Sequence, residues 1–325
     1  MGEVLEARRR DVDDRIRSLR ERLTEAASEF GDRACVYLTG SYGRGEASAH
    51  SDLDLFIIGT VDADRKRRLS RLHEICLKSD LIRAADDLKY PPFSRDGEFL
   101  QFHTGEDLVT RLGTSRDDFD NTLTARLLLL LESKPLFGEG VYEQVVSEVL
   151  DVYWREFERH QGDFEPGFLA NDILRLWRTF CLNFEARPVQ PKDDPQAAVK
   201  LKLKNYKLKH SRLLTCYSGV AFLLAAFVKN GTVTREMART MIGMTPTERI
   251  ESVRSRPGAA SAADDVLATY EEFLSATDAS EADLLARLQQ SPGEFRRPPG
   301  SLGDRMYELI DALGKGTPLH RRLFL

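Results

Sequence analysis

The sequence predicts a small α/β unit followed by a helical unit. Three observations predict this fold class. Three short strand-like runs all lie before Thr104. Beyond Thr104, nearly every segment repeats its apolar residues every three or four positions, as helices do. Several prolines interrupt the later segments, so we expect the units to meet between residues 135 and 165. We therefore assign residues 1–140 to the first domain and residues 141–325 to the second.

The first predicted elements are a helix and two strands joined by a glycine-rich connection. Residues 3–30 are interpreted as one amphipathic helix, because apolar side chains recur at three- and four-residue steps among charged ones. Residues 34–39 and 53–58 are apolar runs of strand length. The intervening residues 40–51 are rich in glycine and serine, which is typical of a loop.

Another helix and a third strand are predicted next. Residues 62–79 have helical spacing. Residues 98–103 follow a pair of prolines and alternate apolar with polar side chains, as a half-buried strand does. Further along, the apolar run Val220–Val228 is shorter than the roughly 20 residues that a bilayer span needs. It therefore predicts a buried core helix.

Charge and composition exclude several functional classes. The 325 residues include 47 Lys and Arg against 52 Asp and Glu, which gives a net charge of −5. This balance argues against a general affinity for nucleic acid or acidic membranes, so any basic function must be local. A hydrophobic fraction of 42% supplies a real core and excludes a disordered chain.

The cysteines indicate a reducing compartment. Cys35, Cys76, Cys181 and Cys216 stand far apart and form no Cys-x-x-Cys pair, which is typical of free thiols. The first residues are charged and are not followed by the apolar segment of a secretory signal. We therefore expect a cytoplasmic protein with no membrane partner.

Two aspartates at the second strand predict a metal site. Asp52 and Asp54 are separated by one residue, so their side chains project from the same face of the strand. Two close carboxylates repel each other unless a cation lies between them, and hard oxygen ligands suit Mg²⁺ or Mn²⁺. Leu53 and Leu55 then point into the core.

The preceding loop has the features of a phosphate-binding turn. Gly40 and Ser41 can offer backbone N–H groups and a hydroxyl to phosphate oxygens, and Arg44 adds positive charge. Gly43 and Gly45 permit close approach of the backbone. Taken separately, a glycine-rich loop is often a simple turn, and an Asp-x-Asp pair can be an exposed strand edge.

The combined pattern resembles a known superfamily. Gly40-Ser41, ten further residues and then Asp52-Leu53-Asp54 resemble the signature of the DNA polymerase β-like nucleotidyltransferase superfamily. The Gly-Arg-Gly-Glu stretch at residues 43–46 is similar to that of bacterial uridylyltransferase-type and signal-transduction nucleotidyltransferase domains. The resemblance in motif covers residues 36–58, and the helical remainder is similar only in architecture.

The resemblance implies a fold and an activity. It implies a palm of the α+β or α/β class, with a small mixed sheet and helices, followed by an all-helical domain. It also implies two divalent cations and the transfer of a nucleoside monophosphate from a nucleoside triphosphate (NTP). By position, Asp52 and Asp54 would be catalytic metal ligands, while Gly40 and Ser41 would hold the β- and γ-phosphates.

The superfamily also has a third carboxylate on a later strand, which coordinates the second metal and helps to deprotonate the attacking hydroxyl. Glu98 is the first candidate for this catalytic ligand, because it lies at the start of the third predicted strand. Asp96 is the second candidate. In the alternative interpretation, Glu98 is a solvent-facing strand residue and Asp96 belongs to a turn.

A basic segment lies in the second domain. Residues 195–235 carry eight Lys or Arg side chains and no Asp or Glu. On a helix, several of these cations share one side, where they could hold a polyphosphate; alternatively, they only solvate a core helix. Similar nucleotidyltransferases close a helical domain over the palm. The candidate nucleotide contacts are Lys207, Lys209 and Ser211, with Lys204 and Arg212 as runners-up.

These observations predict a bacterial-type, Mg²⁺-dependent nucleotidyltransferase that uses ATP as its default donor. The acceptor is open between a protein side chain, an RNA 3′ end, a small molecule and a second nucleotide, and the oligomeric state is open too. Overall acidity argues weakly against a long RNA. One alternative function is a catalytically silent NTP-binding sensor or interaction module with the same fold. Another is a structural helical protein with a fortuitous motif.

Overall fold

The computed structural model describes residues 2–93, 97, 100–186, 195–290 and 301–323. The chain divides into two compact units. The first unit is Leu5–Arg155, and the second is Glu156–Leu325 together with Met1–Val4. The observed division thus falls after the predicted boundary at residue 140, and the assignment of two domains stays a prediction.

The first unit combines one sheet with helices. Its strands are β1 (Ala34–Thr39), β2 (Asp54–Gly59), β3 (Phe102–Thr104) and β4 (Lys134–Phe137). Its helices are α1 (Glu3–Arg22), α2 (Thr24–Phe30), α3 (Gly40–Gly43), α4 (Arg71–Asp87), α5 (Gly105–Thr110), α6 (Ser115–Phe119), α7 (Thr122–Leu131) and α8 (Glu139–Tyr153). The small strand content matches the α+β fold that the resemblance implied.

The sheet is mixed and has the strand order β3-β2-β1-β4. Strand β2 runs antiparallel to β1, with Asp54 opposite Thr39. Strand β4 is also antiparallel to β1 and lies on its other side. Strand β3 runs parallel to β2, with Thr104 opposite Gly59. The mixed sheet of the expected palm is therefore confirmed.

Both faces of β1 are covered, which explains why all six of its residues are buried. On one face, Val36 and Leu38 belong to an apolar core shared with α1 and α4. On the other face, the Tyr37 hydroxyl donates to the carbonyl of Ala125 in α7 at 3.0 Å. The Tyr37 ring also lies edge-on to Tyr142 of α8, with 6.2 Å between ring centroids.

The observed bounds of β1 are those predicted, whereas other boundaries differ. The helix predicted over residues 3–30 is two helices, α1 and α2, that meet at Leu23. Strand β2 begins one residue later than predicted, at Asp54. The helix predicted over residues 62–79 begins only at Arg71, where the Ser70 hydroxyl caps it.

Two predictions about strands were incomplete. The third strand was predicted over residues 98–103, but β3 comprises only Phe102–Thr104 in the described part of the chain. Strand β4 was missed, because Pro135 within it was interpreted as a helix stop. Strand β4 is at the edge of the sheet, where proline is tolerated.

The described residues of the second unit form helices and connecting turns, with no strand among them. Its helices are α9 (Gly167–Glu185), α10 (Pro195–Lys207), α11 (Leu213–Asn230), α12 (Arg235–Ile242), α13 (Pro246–Val253), α14 (Ala260–Ala276), α15 (Glu281–Gln290), α16 (Leu302–Gly314) and α17 (Pro318–Arg322). A π-helical turn, Leu208–Arg212, joins α10 to α11. Helix α11 contacts α9, α13 and α16 and is the centre of this helical core.

The continuous helix Ala197–Asn230 is long and apolar enough to cross a membrane, judged by length and composition alone. However, 67% of its most apolar 18-residue window is buried within the structure. The core helix of a globular protein meets the same criteria, so this feature is weak support for a membrane span. It agrees with the core helix predicted around Val220–Val228.

Candidate active site

The glycine-serine turn, residues 40–46, follows directly on β1. Gly40 has a φ of +63°, in the left-handed region that favours glycine. Backbone hydrogen bonds then close the turn. The Arg44 N–H donates to the Gly40 carbonyl at 3.0 Å, and the Glu46 N–H donates to the Ser41 carbonyl at 2.9 Å.

Asp54 lies against the start of the glycine-serine turn. It is the first residue of β2 and pairs with Thr39, the last residue of β1. A Cβ atom added at Gly40 would come within 2.3 Å of Asp54 Oδ2. Position 40 therefore requires glycine for two reasons: its positive φ and this close approach of a carboxylate.

Asp52 and Asp54 place two half-buried carboxylates beside the turn. Leu53 and Leu55 belong to the apolar core, so the alternation of an extended chain puts the two aspartates on the opposite side. Burial raises the pKa of the Tyr42 hydroxyl, and the negative charge of Asp52 raises it further, whereas Arg15 lowers it. The electrostatic influence on Tyr42 places Asp52 near the turn as well.

These two carboxylates fit a hard divalent cation. Mg²⁺ is usually held by one or two protein carboxylates, with phosphate oxygens and water as its other ligands. Among the described residues, no group of three His, Cys, Asp or Glu side chains could hold a metal ion. Glu98 and Asp96, the candidates for the third carboxylate, lie outside the described residues, so their role stays a prediction.

Ser41 is the turn residue whose polar groups are available to a ligand. Its side chain is half-buried, and its carbonyl is engaged by Glu46. Within the described part of the chain, neither its hydroxyl nor its N–H donates a hydrogen bond. A phosphate oxygen at this position could accept both, as was expected for the motif.

Arg44, a predicted nucleotide contact, is held inside the protein in the structure. Its side chain is only 6% exposed and lies between two carboxylates rather than facing outward. Its Nε donates to Glu46 Oε1 at 2.5 Å, and its Nη1 donates to Glu132 Oε2 at 2.8 Å. The charge of Arg44 is thus directed at two carboxylates of the protein, and its contact with the nucleotide stays a prediction.

The backbone N–H of Gly40 already has a partner inside the protein. This N–H, which was expected to face phosphate, donates to Glu132 Oε1 at 3.1 Å inside the protein. Gly40 thus contributes through its conformation and its lack of a side chain. Of the two residues that were expected to bind phosphate, Ser41 keeps an N–H that donates to no acceptor in the described part of the chain.

Sequence reasoning missed the residues that support the turn. Glu132 follows α7 and precedes β4, so its position depends on a strand that was not predicted. From α1, Arg15 Nη1 donates to the Tyr42 hydroxyl at 3.2 Å, and Arg8 Nη1 donates to the Glu46 carbonyl at 2.9 Å. The one signal in the sequence for Arg8 and Arg15 was the spacing of arginines along α1. Such spacing is common on solvent-exposed faces of helices.

The candidate contacts of the basic segment lie in the second unit. Lys207 is exposed at the end of α10, and Lys209 is half-buried in the π-helical turn. Ser211 is buried, and its carbonyl accepts a hydrogen bond from the Thr215 hydroxyl at 2.9 Å. Their role in nucleotide binding stays a prediction.

Comparison with known proteins identifies one family. Residues 16–98 match the family model of the nucleotidyltransferase domain. The matched segment contains the glycine-serine turn, Asp52 and Asp54, together with strands β1 and β2. No curated protein and no solved structure matches the chain. The match therefore covers the segment that carries the candidate active site.

Proposed function

We propose, on the basis that this chain is an enzyme with a nucleotidyltransferase domain, that it uses Mg²⁺ to move a nucleoside monophosphate from an NTP to a hydroxyl acceptor. ATP is the default donor. The observation that carries this proposal is the close approach of Gly40 and Asp54, which brings a phosphate-binding turn and a metal-binding carboxylate together.

Asp52 and Asp54 would hold Mg²⁺, or Mn²⁺ in its place, and two ions are expected from the superfamily. When bound, such ions neutralise the triphosphate and lower the pKa of an attacking hydroxyl. The Ser41 N–H and hydroxyl would hold a β- or γ-phosphate oxygen. The residues of the turn would thereby orient the donor triphosphate. The negative charges of Asp52 and Asp54 would balance part of the positive charge of the metal ions.

The transfer itself needs no covalent intermediate on the protein. The acceptor oxygen forms a bond to the α-phosphorus while the bond from that phosphorus to the bridging oxygen breaks, and pyrophosphate leaves with the electron pair. The hydroxyl proton passes to a base, for which the third carboxylate, Glu98 or Asp96, remains the proposal. Such reactions depend mainly on positioning and on electrostatic stabilisation.

The acceptor remains a choice between a protein side chain, an RNA 3′ end and a small molecule. The net charge of −5 favours a protein or small molecule over a long RNA. The second candidate function is an NTP-binding sensor without catalysis, because the third carboxylate is not placed. Pyrophosphate release in the presence of acceptors would separate these two functions.

A cytoplasmic location is proposed from the cysteines. Cys35, Cys76, Cys181 and Cys216 are all free, and Cys35 and Cys216 are buried. Burial raises the pKa of the Cys35 thiol to about 12, so this thiol is unreactive. Free thiols of this kind are typical of a reducing compartment.

The test is thermal stabilisation by each of the four NTPs with Mg²⁺. A ligand that binds the folded state raises the melting temperature. We expect one or more NTPs to raise it in the wild type but not in Asp52→Asn/Asp54→Asn, which removes the charges while keeping the shapes.

The chain offers a matched control for this experiment. Asp62 and Asp64 have the same Asp-x-Asp spacing but are exposed beyond the end of β2. The double variant Asp62→Asn/Asp64→Asn should keep the NTP-dependent rise. If no NTP stabilises the wild type beyond Mg²⁺ alone, or if the Asp52→Asn/Asp54→Asn variant keeps the full rise, the proposed function is wrong.

A further inference from the structure

Glu132 contacts the glycine-serine turn at three points, two through its buried carboxylate and one through its backbone carbonyl. Its Oε1 accepts the Gly40 N–H at 3.1 Å, and its Oε2 accepts Arg44 Nη1 at 2.8 Å. Its backbone carbonyl lies so close to Gly43 that a Cβ added there would come within 1.9 Å of it. The side chain of Glu132 has no exposed surface, although the residue lies beyond the matched segment 16–98.

Arg44 connects Glu132 to the other end of the turn. Its Nε donates to the carboxylate of Glu46, whose side chain is 3% exposed. The backbone of Glu46 in turn donates to the Ser41 carbonyl. We call Glu132, Arg44 and Glu46 the turn network. It ties the first and last residues of the glycine-serine turn to a fixed point between α7 and β4.

We propose that Glu132 is the positioning residue of the phosphate site. By accepting the Gly40 N–H, it fixes the Thr39–Gly40 peptide, so that the next N–H, that of Ser41, and the Ser41 hydroxyl face the phosphate. Through Arg44 it keeps Gly40 packed against Asp54. Glu132 acts only through the turn. This role rests on the proposed function, since it requires a triphosphate at Ser41.

Electrostatics favours this role over a general contribution to stability. Burying three ionisable side chains is costly, and well-packed apolar side chains often stabilise a fold equally well. An apolar residue at position 132 could not accept a backbone N–H, and it would leave Arg44 without one of its two carboxylates. The turn network therefore fixes a backbone conformation that apolar packing would leave free.

The same unit contains a matched control for this arrangement. Arg126 of α7 donates to Asp117 of α6 through Nη1 and Nη2, each at 2.9 Å, and both side chains are fully buried. The Arg126 Nε also donates to the Tyr153 hydroxyl at 2.9 Å. We call these three residues the core network. Like the turn network, it pairs a buried arginine with a buried carboxylate.

The test compares Glu132→Gln with Asp117→Asn. Each variant keeps the size of the side chain and removes one negative charge from a buried arginine. The dissociation constant of ATP with Mg²⁺ is measured by isothermal titration calorimetry, with the other three NTPs in parallel, at a temperature where circular dichroism shows folded protein. Glu132→Gln should weaken binding at least about tenfold, whereas Asp117→Asn should stay within about twofold of the wild type.

Two further variants keep the test decisive. Glu132→Gln/Arg44→Gln pairs two amides and keeps an oxygen for the Gly40 N–H, so it should bind at least about threefold more tightly than Glu132→Gln. If Glu132→Gln does not fold, Arg44→Lys replaces it, because lysine keeps the charge but loses the fork that reaches two carboxylates. That variant should bind at least about threefold more weakly than the wild type.

The outcomes separate this role from the proposed function. Unchanged affinity in Glu132→Gln, or in Arg44→Lys where that variant is used, would overturn the positioning role. An equal loss of affinity in Asp117→Asn would do the same, because it would trace the effect to stability. Absence of NTP binding by the wild type would instead overturn the proposed function, and the positioning role with it.

Discussion

The turn network and the core network use the same chemical groups for different ends. In the core network, Arg126 meets Asp117 through two parallel hydrogen bonds, and the Tyr153 hydroxyl and the Leu108 carbonyl accept two further N–H groups of Arg126. In the turn network, Arg44 is shared between two carboxylates, and one of these also accepts a backbone N–H of the turn. The comparison teaches that a buried ion pair has functional meaning where it fixes the backbone of a site.

The largest expected effect is on stability, and it belongs to the core network. Arg126→Met would leave Asp117 buried without its guanidinium, so we expect the free energy of unfolding to fall by about 3–5 kcal/mol. Urea-induced unfolding followed by circular dichroism measures it. NTP binding by the folded protein should not change, and a loss of affinity comparable to that in Glu132→Gln would erase the distinction between the networks.

The control for this variant is Arg111→Met. Arg111 pairs with Asp107 and Asp120, but its side chain is 24% exposed and the partners are also partly exposed. Partly exposed ion pairs contribute little, so we expect a loss of less than about 1 kcal/mol. A loss as large as that of Arg126→Met would show that burial is not what distinguishes these arginines.

An intermediate effect is expected for Gly40→Ala, which strains the backbone that the turn network holds. The left-handed conformation costs a residue with a Cβ about 1–2 kcal/mol. The new methyl group would also displace the Asp54 carboxylate, because the added Cβ would lie 2.3 Å from Oδ2. We expect at least an about tenfold weaker affinity for NTP with Mg²⁺, measured by calorimetry.

Gly113→Ala isolates the backbone part of that effect. Gly113 has a φ of +74°, and an added Cβ there would meet nothing within 4 Å. This variant should lose a similar amount of stability from strain but keep its NTP affinity within about twofold. If both alanine variants bind NTP equally well, the contact between Gly40 and Asp54 has no functional role.

The smallest expected effect is a loss of stability at acid pH, and it concerns Asp117 of the core network. Burial alone would raise the pKa of Asp117, but the hydrogen bonds and the charge of Arg126 outweigh burial and lower the pKa from its ordinary value of 3.8. A lowered pKa in the folded state gives stability that is present above pH 3.8 and is lost as the pH falls toward the folded-state pKa.

The corresponding measurement is the difference in unfolding free energy between the wild type and Asp117→Asn. This difference should be constant near neutral pH and should narrow as the pH falls below 3.8. Tyr153→Phe removes a partner of Arg126 that does not titrate in acid, so its difference from the wild type should stay constant over the same range. A constant difference for Asp117→Asn would contradict the lowered pKa.

The sequence predicted the parts of the site that depend on local order. Strand β1 is a continuous apolar run because both faces are covered, and its end positions Gly40 and Ser41 directly. Asp52 and Asp54 follow within the same connection, so their alternation with leucines was enough to predict a common side. All of these residues lie close to one another in the sequence.

The sequence could not predict the contacts that join distant segments. Gly40 and Glu132 are 92 positions apart, and their contact requires β4 to lie beside β1. Strand β4 contains Pro135, whose local preference argues against a strand interior. Arg44 was assigned to phosphate because an arginine in a glycine-rich loop is usually solvent-accessible, and its two buried carboxylate partners become visible only in the fold.

The antiparallel pairing of β4 with β1 has a consequence for the order of events during synthesis. Strands β1 and β2 are close in sequence and can pair early, but Glu132 leaves the ribosome long after Arg44. Until then Arg44 and the Gly40 N–H lack their common partner. A nascent chain that ends before Glu132 should therefore carry the complete glycine-serine motif and both aspartates without a formed nucleotide site. Acquisition of binding would thus wait for a glutamate that is synthesised 92 positions after Gly40.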